Sequence, residues 1–252
     1  SNGLMGTEYE DVITYFDMFF RRVPDDGGYA IMAGIEQLVD YFKNLSFSES
    51  DIEYLKSLNL FSERFIEYLR DFKFTCDVWA VPEGTPIFPK EPIVTVKGPA
   101  MQAMMVETFL LLTINHQSLI ATKANRIVRA AAGRPVMEFG ARRAQGADAA
   151  YYGARAAIIG GCTGTSVIKT AKDFSVAASG TMAHSWVQIF DDEYEAFKTY
   201  AERYPKSCLL LVDTYNVLKS GIPNAIRVFD EVLKPLGCRP LGVRIDSGDI
   251  TY

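Results

Sequence analysis

The sequence predicts an α/β protein, with an N-terminal α+β region followed by parallel strands that alternate with helices. In residues 1–100 the apolar residues follow mainly helical spacing, which gives way near the end to two strand-like runs. From about residue 125, short apolar runs alternate with helical stretches, and each run ends in a polar turn. Repeats of strand, helix and strand imply parallel strands joined by right-handed crossovers. This pattern fits a closed barrel and an open sheet equally well.

Four segments of the N-terminal region carry apolar residues at helical spacing, and these are residues 28–42, 48–58, 62–72 and 101–121. Ser48 and Asp51 form a capping pattern at the start of the second segment. Polar residues interrupt the fourth segment, so it predicts a buried helix rather than a membrane span. Strand-like runs at 77–81 and 92–98 flank a proline-rich loop and predict two strands.

Five apolar runs later in the chain predict strands, and they cover residues 135–139, 158–162, 174–178, 208–212 and 241–245. Between the last two runs, residues 222–237 predict an amphipathic helix closed by Pro235 and Gly237. In parallel α/β folds the loops that follow the strands gather on one face, where ligands bind. We therefore expect the turns after these runs to converge. We also expect two domains, residues 1–120 and 121–252.

Composition and charge narrow the class of protein. The chain has 252 residues and a net charge of −5, which argues against nucleic acid as the main partner. The sequence shows neither a membrane-spanning run nor a signal peptide. Four widely spaced cysteines without ligand pairs favour free thiols in a reducing compartment, and hence a cytoplasmic protein. The chain begins without methionine and stops just after an apparent strand, so we expect it to be a fragment, or the ordered part, of a longer polypeptide.

Two of the polar turns suit anionic ligands. Arg142 and Arg143 lie between Gly140 and Gly146, and paired guanidinium groups among glycines suit a phosphate or a carboxylate. The alternative is two surface arginines that open a helix, which is less favourable because cations are disfavoured near a helix N-terminus. The glycine-rich turn at 160–166 precedes a predicted helix, where free N–H groups can bind an anion.

Carboxylates follow the last two predicted strands. Asp213 follows one strand, while Asp246 and Asp249 follow the other. Carboxylates at strand ends can bind Mg²⁺, contact ribose hydroxyls or stabilise developing positive charge. Helix capping is the structural alternative for Asp213 or Asp249. Arg244 lies inside an apolar run, so it either points inward and needs Asp246 or an anionic ligand, or faces solvent.

His184 is one of only two histidines in the chain and follows a Ser-Gly-Thr turn. By itself this pattern favours a hydrogen-bonded structural histidine, as does the position of His116 within segment 101–121. Serine-hydrolase and zinc chemistry fit poorly, because there is neither a G-x-S-x-G elbow nor a set of metal ligands at zinc spacing. Taken together, the arginines, glycines, carboxylates and His184 favour a phosphosugar or nucleotide ligand and transfer chemistry.

Seven segments combine these turns in a specific order, and they are FDMFFRRVP (16–24), ETFLLLTINHQSLIATKANR (107–126), EFGARRAQGAD (138–148), GGCTGTS (160–166), SGTMAHSWV (179–187), LVDTYN (211–216) and GVRIDSGD (242–249). In this combination the chain resembles the nicotinate phosphoribosyltransferase family. The resemblance implies an irregular, TIM-barrel-like parallel α/β barrel of the type II phosphoribosyltransferase kind, with an N-terminal α+β domain. It also implies homodimers with shared active sites.

The activity implied by the resemblance belongs to NAD biosynthesis. The family joins nicotinate to 5-phosphoribosyl 1-pyrophosphate, which yields nicotinate mononucleotide and pyrophosphate, and couples this to ATP hydrolysis. The resemblance implies that Mg²⁺ binds together with pyrophosphate, without a dedicated set of protein ligands. His184 would accept phosphate from ATP, while Asp213 and Asp246 would face the ribose and the Mg²⁺-pyrophosphate.

The resemblance also assigns substrate contacts. Thr181 and Arg244 would contact nicotinate, Phe139 would lie against the pyridine ring, and Arg142 would help to bind phosphate. The other substrate-binding residues that it implies are Arg143, Ser166, Ser247 and Gly248. In the related nicotinamide-using family the position of Ser166 is an aspartate, which would repel a carboxylate substrate, so Ser166 favours nicotinate. The alternatives are a type II enzyme that uses nicotinamide or quinolinate, and an inactive metabolite-binding paralogue.

Overall fold

The computed structural model describes residues 1–249, which fall into two compact units, one of residues 1–179 and a second that begins at Gly180. The domain boundary expected at residue 120 lies inside the helix Ala100–Ala130, which packs against elements on both sides of it in the sequence. That division remains a prediction. Residues 250–252, the end of the second expected domain, lie outside the described residues.

The strands of the first unit are, in chain order, β1 (Ile13–Met18), β2 (Ala30–Ile31), β3 (Asp77–Ala80), β4 (Pro86–Ile87), β5 (Val94–Pro99), β6 (Met137–Glu138) and β7 (Gly164–Thr165). β1, β5 and β3 form an antiparallel sheet in that order, and β2 pairs antiparallel with β4. The strands predicted at 77–81 and 92–98 are therefore confirmed. β1 was not predicted as a strand.

The helices of the first unit are α1 (Ile35–Asn44), α2 (Glu49–Ser57), α3 (Glu63–Arg70), α4 (Ala100–Ala130), α5 (Ala147–Ile159) and α6 (Ile168–Asp173). The capping pattern predicted for α2 is present, since Ser48 Oγ accepts from the Asp51 N–H at 3.2 Å and the Asp51 carboxylate accepts from the Ser48 N–H at 2.8 Å. The helix predicted at 28–42 is only partly right. It begins at Ile35, because Gly34 adopts a left-handed conformation with φ of 110°.

Helix α4 lies at the centre of the first unit and is 31 residues long. On one side it packs against the sheet, where Val94 and Val96 share a buried cluster with Ala103 and Leu110. On another side it packs against α5. None of the helices in the described part of the chain combines the length and the apolar composition that a membrane span requires.

A buried ion-pair network connects α5 to the start of α1. Arg155 is 8% exposed, and its guanidinium donates to the two carboxylate oxygens of Glu83 at 2.9 and 2.6 Å and also pairs with Glu36. Glu83 Oε1 in turn accepts from the N–H groups of Gly34 and Ile35 at 2.6 and 2.9 Å. Burial would raise the pKa of Glu83, but Arg155 and the backbone donors outweigh it and lower the pKa. Glu83 is therefore held as a carboxylate that caps α1.

Parallel pairing begins after α4. β6 and β7 are parallel, with Glu138 opposite Thr165, and Thr165 also forms a parallel bridge with Ala178. The strand predicted at 135–139 is therefore present in shortened form. The strand predicted at 174–178 is reduced to this isolated bridge at Ala178.

The strand predicted at 158–162 is wrong. Helix α5 continues through Ile159, and Gly160 lies so close to α4 that a Cβ atom there would approach the Ala121 carbonyl oxygen within 2.4 Å. Gly161, with φ of 108°, then turns the chain. The strand β7 follows only at Gly164, because the two glycines serve helix packing and a turn rather than an extended run.

The elements of the second unit are α7 (His184–Ile189), α8 (Glu193–Arg203), β8 (Leu209–Leu211), α9 (Ile222–Val228) and β9 (Gly242–Arg244). β8 and β9 are parallel, with Leu211 opposite Arg244, and they confirm the strands predicted at 208–212 and 241–245. π-helical turns at Val217–Gly221 and Phe229–Leu233 flank α9, so the helix predicted at 222–237 is present and begins earlier. Helices with parallel strand pairs confirm the α/β class.

Candidate functional site

His184 and two carboxylates lie together in the second unit. His184 is the first residue of α7, while Asp213 and Asp246 follow the neighbouring parallel strands β8 and β9. Because parallel strands end at the same edge, both carboxylates lie at one end of the pair. The Nε2 atom of His184 is 3.6 Å from Asp246 Oδ2 and 4.0 Å from Asp213 Oδ1. The histidine side chain is 37% exposed, so a ligand can reach it.

Asp213 is the buried member of this group, with a side chain only 3% exposed. Its Oδ2 accepts from the Asp246 N–H at 2.9 Å and from the Ser247 hydroxyl at 2.7 Å. Burial would raise the pKa of Asp213, but these hydrogen bonds, with a smaller effect of His184, lower it below its ordinary value. Asp213 is therefore a carboxylate at neutral pH.

The second carboxylate oxygen of Asp213 differs from Oδ2 in its hydrogen bonding. Oδ1 is buried and accepts no hydrogen bond from the residues that the structure describes. A buried acceptor in this state is costly, so the geometry favours a ligand donor or a cation beside it. Asp213 does not cap the following helix. Asn216 does so instead, and accepts from the Lys219 N–H at 2.8 Å.

Arg244 is on β9, next to this group. Its side chain is 24% exposed, and its guanidinium pairs with the Asp246 carboxylate. Of the alternatives that the sequence left open, the pairing with Asp246 is the one observed. A paired arginine at a strand end retains further N–H donors for an anionic group.

Thr214 contacts His184 and was not predicted from the sequence. Its Oγ1 lies 3.1 Å from His184 Nδ1, which fixes the ring and leaves Nε2 facing the carboxylates. Its position directly after Asp213 in the same loop is the feature of the sequence that could have identified it. Of the other predicted residues here, Thr181 is half-buried in the segment before α7, while Ser247 and Gly248 are exposed in the loop after β9.

In the first unit, a second group of predicted residues lies on the loops that follow β6 and β7. Phe139, Arg142 and Arg143 are exposed on the loop after β6, and Ser166 is half-buried directly after β7. The Ser166 N–H donates to the Glu138 carbonyl oxygen at 3.0 Å, which brings the start of one loop beside the start of the other. Glu138 was not predicted as a site residue.

The glycine-rich turn at 160–166 does not offer the free amides expected for an anion. The N–H groups of Cys162, Thr163, Thr165 and Ser166 donate to backbone carbonyl oxygens of the first unit. The helix that follows, α6, has only six residues. The backbone pairing and the turn therefore use these four donors, and anion binding where this turn opens α6 remains a prediction.

A cavity of about 460 Å³ in the first unit is lined by residues of α4, α5, the end of β6 and the loop after it, among them His116, Glu138 and Arg143. His116 Nε2 lies 3.2 Å from the Ala149 carbonyl oxygen, which links α4 to α5. His116 thus has the structural hydrogen bond that the sequence favoured for it.

Helices alternate with parallel strand pairs, which defines an α/β protein. His184 at the start of α7 lies beside the carboxylates and the arginine at the ends of β8 and β9, and together they form a polar site suited to a phosphosugar or nucleotide. The chain belongs to the nicotinate phosphoribosyltransferase family. Residues 4–115 match the model of the nicotinate phosphoribosyltransferase N-terminal domain, and residues 135–251 match the model of the nicotinate phosphoribosyltransferase family.

Individual relatives agree with this assignment. The chain is 47% identical over 237 residues to the nicotinate phosphoribosyltransferase of Bacillus subtilis, an alignment that covers 94% of this chain and 48% of the relative. It is 32% identical over 298 residues to that of Caenorhabditis elegans, with coverage of 98% and 52%. The crystal structure of human nicotinic acid phosphoribosyltransferase is similar with a TM-score of 0.89 and 30% identity, over 98% of this chain and 59% of that one. The chain thus spans about half the length of these curated relatives.

Proposed function

We propose that this chain contributes the residues that bind nicotinate and accept phosphate in a nicotinate phosphoribosyltransferase of NAD biosynthesis. The reaction joins nicotinate to 5-phosphoribosyl 1-pyrophosphate, releases pyrophosphate and is coupled to ATP hydrolysis. The observation that carries the proposal is His184, whose Nε2 faces Asp213 and Asp246 within segments that match the family.

In the proposed phosphorylation, the lone pair of His184 Nε2 attacks the γ-phosphorus of ATP while the bond to the leaving ADP oxygen breaks. A proton on Nδ1, donated to Thr214 Oγ1 3.1 Å away, leaves that lone pair on Nε2. The phosphoryl group adds about two negative charges beside two carboxylates, by analogy with phosphorylated hydroxyl residues. The resulting repulsion can shift nearby loops and basic side chains and so couple ATP to the site.

In the proposed transfer step, the ring nitrogen of nicotinate attacks C1 of the ribose while the bond from C1 to the pyrophosphate oxygen breaks. Positive charge develops on the sugar during this step, and the carboxylates of Asp213 and Asp246 stabilise it. Asp213 suits this role because its lowered pKa keeps it charged.

The residues also fit a divalent cation that is shared with substrate. Among the described residues, no group of three or more His, Cys, Asp or Glu side chains could hold a metal by itself. The unpartnered Oδ1 of Asp213, with Asp246 nearby, supplies the one or two carboxylates with which Mg²⁺ typically binds beside substrate phosphates. When bound there, Mg²⁺ would neutralise charge on pyrophosphate and on the phosphoryl group.

Recognition of nicotinate is assigned to Arg244 and Thr181, with the guanidinium meeting the carboxylate of the substrate. Ser166 carries no charge and so does not repel a carboxylate substrate, whereas an aspartate at this position would. Phe139 is assigned to the pyridine ring. The remaining substrate contacts are assigned to Arg142, Arg143, Ser247 and Gly248. The proposal includes a TIM-barrel-like closure of the parallel strands, a homodimer with shared active sites and a cytoplasmic location.

Labelling with γ-³²P-ATP tests this proposal in the full-length protein. Because the chain has only two histidines, His116→Asn is a matched control for His184→Asn. We expect an acid-labile phosphate on the wild type and on His116→Asn, but not on His184→Asn. Labelling that persists in His184→Asn would contradict the assignment of that residue. An intact protein that takes up no label and forms no product would favour a metabolite-binding paralogue.

A further inference from the structure

The carboxylate of Glu138 joins the loops that follow β6 and β7. Its Oε1 accepts from the Gly140 N–H at 2.5 Å, and its Oε2 accepts from the Thr165 hydroxyl at 2.6 Å. Both bonds involve a charged acceptor and are short, as is typical of the stronger class of hydrogen bond. Beyond the backbone pairing of β6 and β7, one side chain therefore links the turn at 139–143 to the residue before Ser166.

Thr165 is fully buried and uses every polar group that it has. Its N–H donates to the Ala177 carbonyl oxygen at 3.0 Å, and its carbonyl oxygen accepts from the Ser179 N–H at 2.9 Å. Its hydroxyl oxygen accepts from the Val167 N–H at 3.0 Å, and the single hydroxyl proton goes to Glu138. The hydroxyl therefore orients the carboxylate, which in turn fixes the amide of Gly140.

We propose that Glu138, oriented by Thr165, is a positioning residue for the loop at 139–143. The inference rests on the proposed function for the roles of Phe139 and Arg142 on that loop and of Ser166 beside it. A carboxylate is required because two donors must be accepted at once, and the oxygen of an amide side chain accepts only one of them in this arrangement. Glu138 acts through the loop, not on a reacting atom.

The chain offers matched variants for a test. Thr165→Val removes the hydroxyl but keeps the shape of the side chain. Thr165→Ser, in contrast, keeps the hydroxyl and removes only the methyl group. Thr163→Val is the control, since the single proton of that hydroxyl has the Val136 carbonyl oxygen at 3.2 Å and Met137 Sδ at 3.3 Å as its acceptors, and not Glu138. Glu138→Gln keeps the volume of the side chain and removes one acceptor.

The readouts are steady-state kinetics and hydrogen exchange of the Gly140 amide, measured on full-length protein with unfolding midpoints recorded in parallel. For Thr165→Val and Glu138→Gln we expect faster Gly140 exchange and a loss of about 10- to 100-fold in kcat/KM for nicotinate, as follows from misplacing a binding loop. Thr165→Ser and Thr163→Val should stay close to wild type in both readouts.

Two results would overturn the inference. One is Thr165→Val matching Thr163→Val in both readouts, and the other is Gly140 exchange in Thr165→Ser as fast as in Thr165→Val. If wild-type protein forms no nicotinate mononucleotide, it is the proposed function that fails. Gly140 exchange then decides the positioning inference alone, since an exchange rate unchanged in Thr165→Val would refute it.

Discussion

Replacing Arg155 with methionine removes the positive charge that faces Glu83 and Glu36, and the structure sets the size of the effect. Loss of one partner from a buried pair typically costs about 3–5 kcal/mol, because the other charge is left uncompensated. Glu36 is 55% exposed and stays hydrated, whereas Glu83 is only 21% exposed and carries most of the penalty. Two backbone donors still compensate Glu83. We therefore expect a loss of about 3 kcal/mol in the free energy of unfolding.

For a chain of this size, that loss corresponds to a melting temperature lower by about 6–12 °C. Thermal and urea unfolding, followed by circular dichroism, would measure it. Arg64→Met is the matched control, because Arg64 pairs with Glu10 at 2.7 Å but is 64% exposed. Exposed pairs contribute about 1 kcal/mol or less. Adding Glu83→Gln to Arg155→Met should recover part of the loss, since no buried charge then remains unpaired.

The stability lost in Arg155→Met also depends on pH. The pKa of Glu83 is lowered in the folded protein, so its stabilising contribution is present above the ordinary glutamate pKa of about 4.3 and is lost as the pH falls through the folded value. The difference between wild type and Arg155→Met should be largest near neutral pH and shrink below about pH 4. Equal losses for Arg155→Met and Arg64→Met, at every pH, would refute the reasoning.

Three further predictions concern single side chains. Ser48→Ala removes the capping box of α2 and should cost about 1 kcal/mol of unfolding free energy, measured by urea unfolding, and no loss would contradict the capping role. If Ser166 contacts nicotinate as proposed, Ser166→Asp puts a carboxylate beside a carboxylate substrate and should cut nicotinate turnover severely, whereas rates like the wild type would reject its assignment. Arg244→Ala should raise the KM for nicotinate by about 10-fold or more, from the loss of a charged hydrogen bond, and leave that for the phosphoribosyl donor nearly unchanged. Equal effects on both KM values would reject carboxylate recognition by Arg244.

The features that could be predicted from the sequence are those that depend on neighbouring residues. The capping box at Ser48 needs only Asp51, three residues away. The runs at 208–212 and 241–245 are apolar and are each followed by aspartate, so both the strands and the carboxylates at their ends could be predicted. The partner of Arg244 is likewise only two residues away.

The features that could not be predicted depend on residues far apart in the chain. Glu83 and Arg155 are 72 positions apart, and neither belongs to a motif. The extended appearance of 158–162 was misleading because Gly160 packs against Ala121 of another helix. Thr214 acquires its contact with His184 only when α7 lies beside the end of β8. In each case tertiary packing, rather than local preference, decided the structure.

Product formation by the full-length protein tests the central claim most directly. Incubation with 5-phosphoribosyl 1-pyrophosphate, ATP and Mg²⁺, with nicotinate, nicotinamide and quinolinate supplied separately, can be followed by chromatography of the mononucleotide and release of pyrophosphate. The account predicts nicotinate mononucleotide from nicotinate, formed faster with ATP and lost in His184→Asn but not in His116→Asn. A preference for nicotinamide or quinolinate, or full activity in His184→Asn, would contradict it.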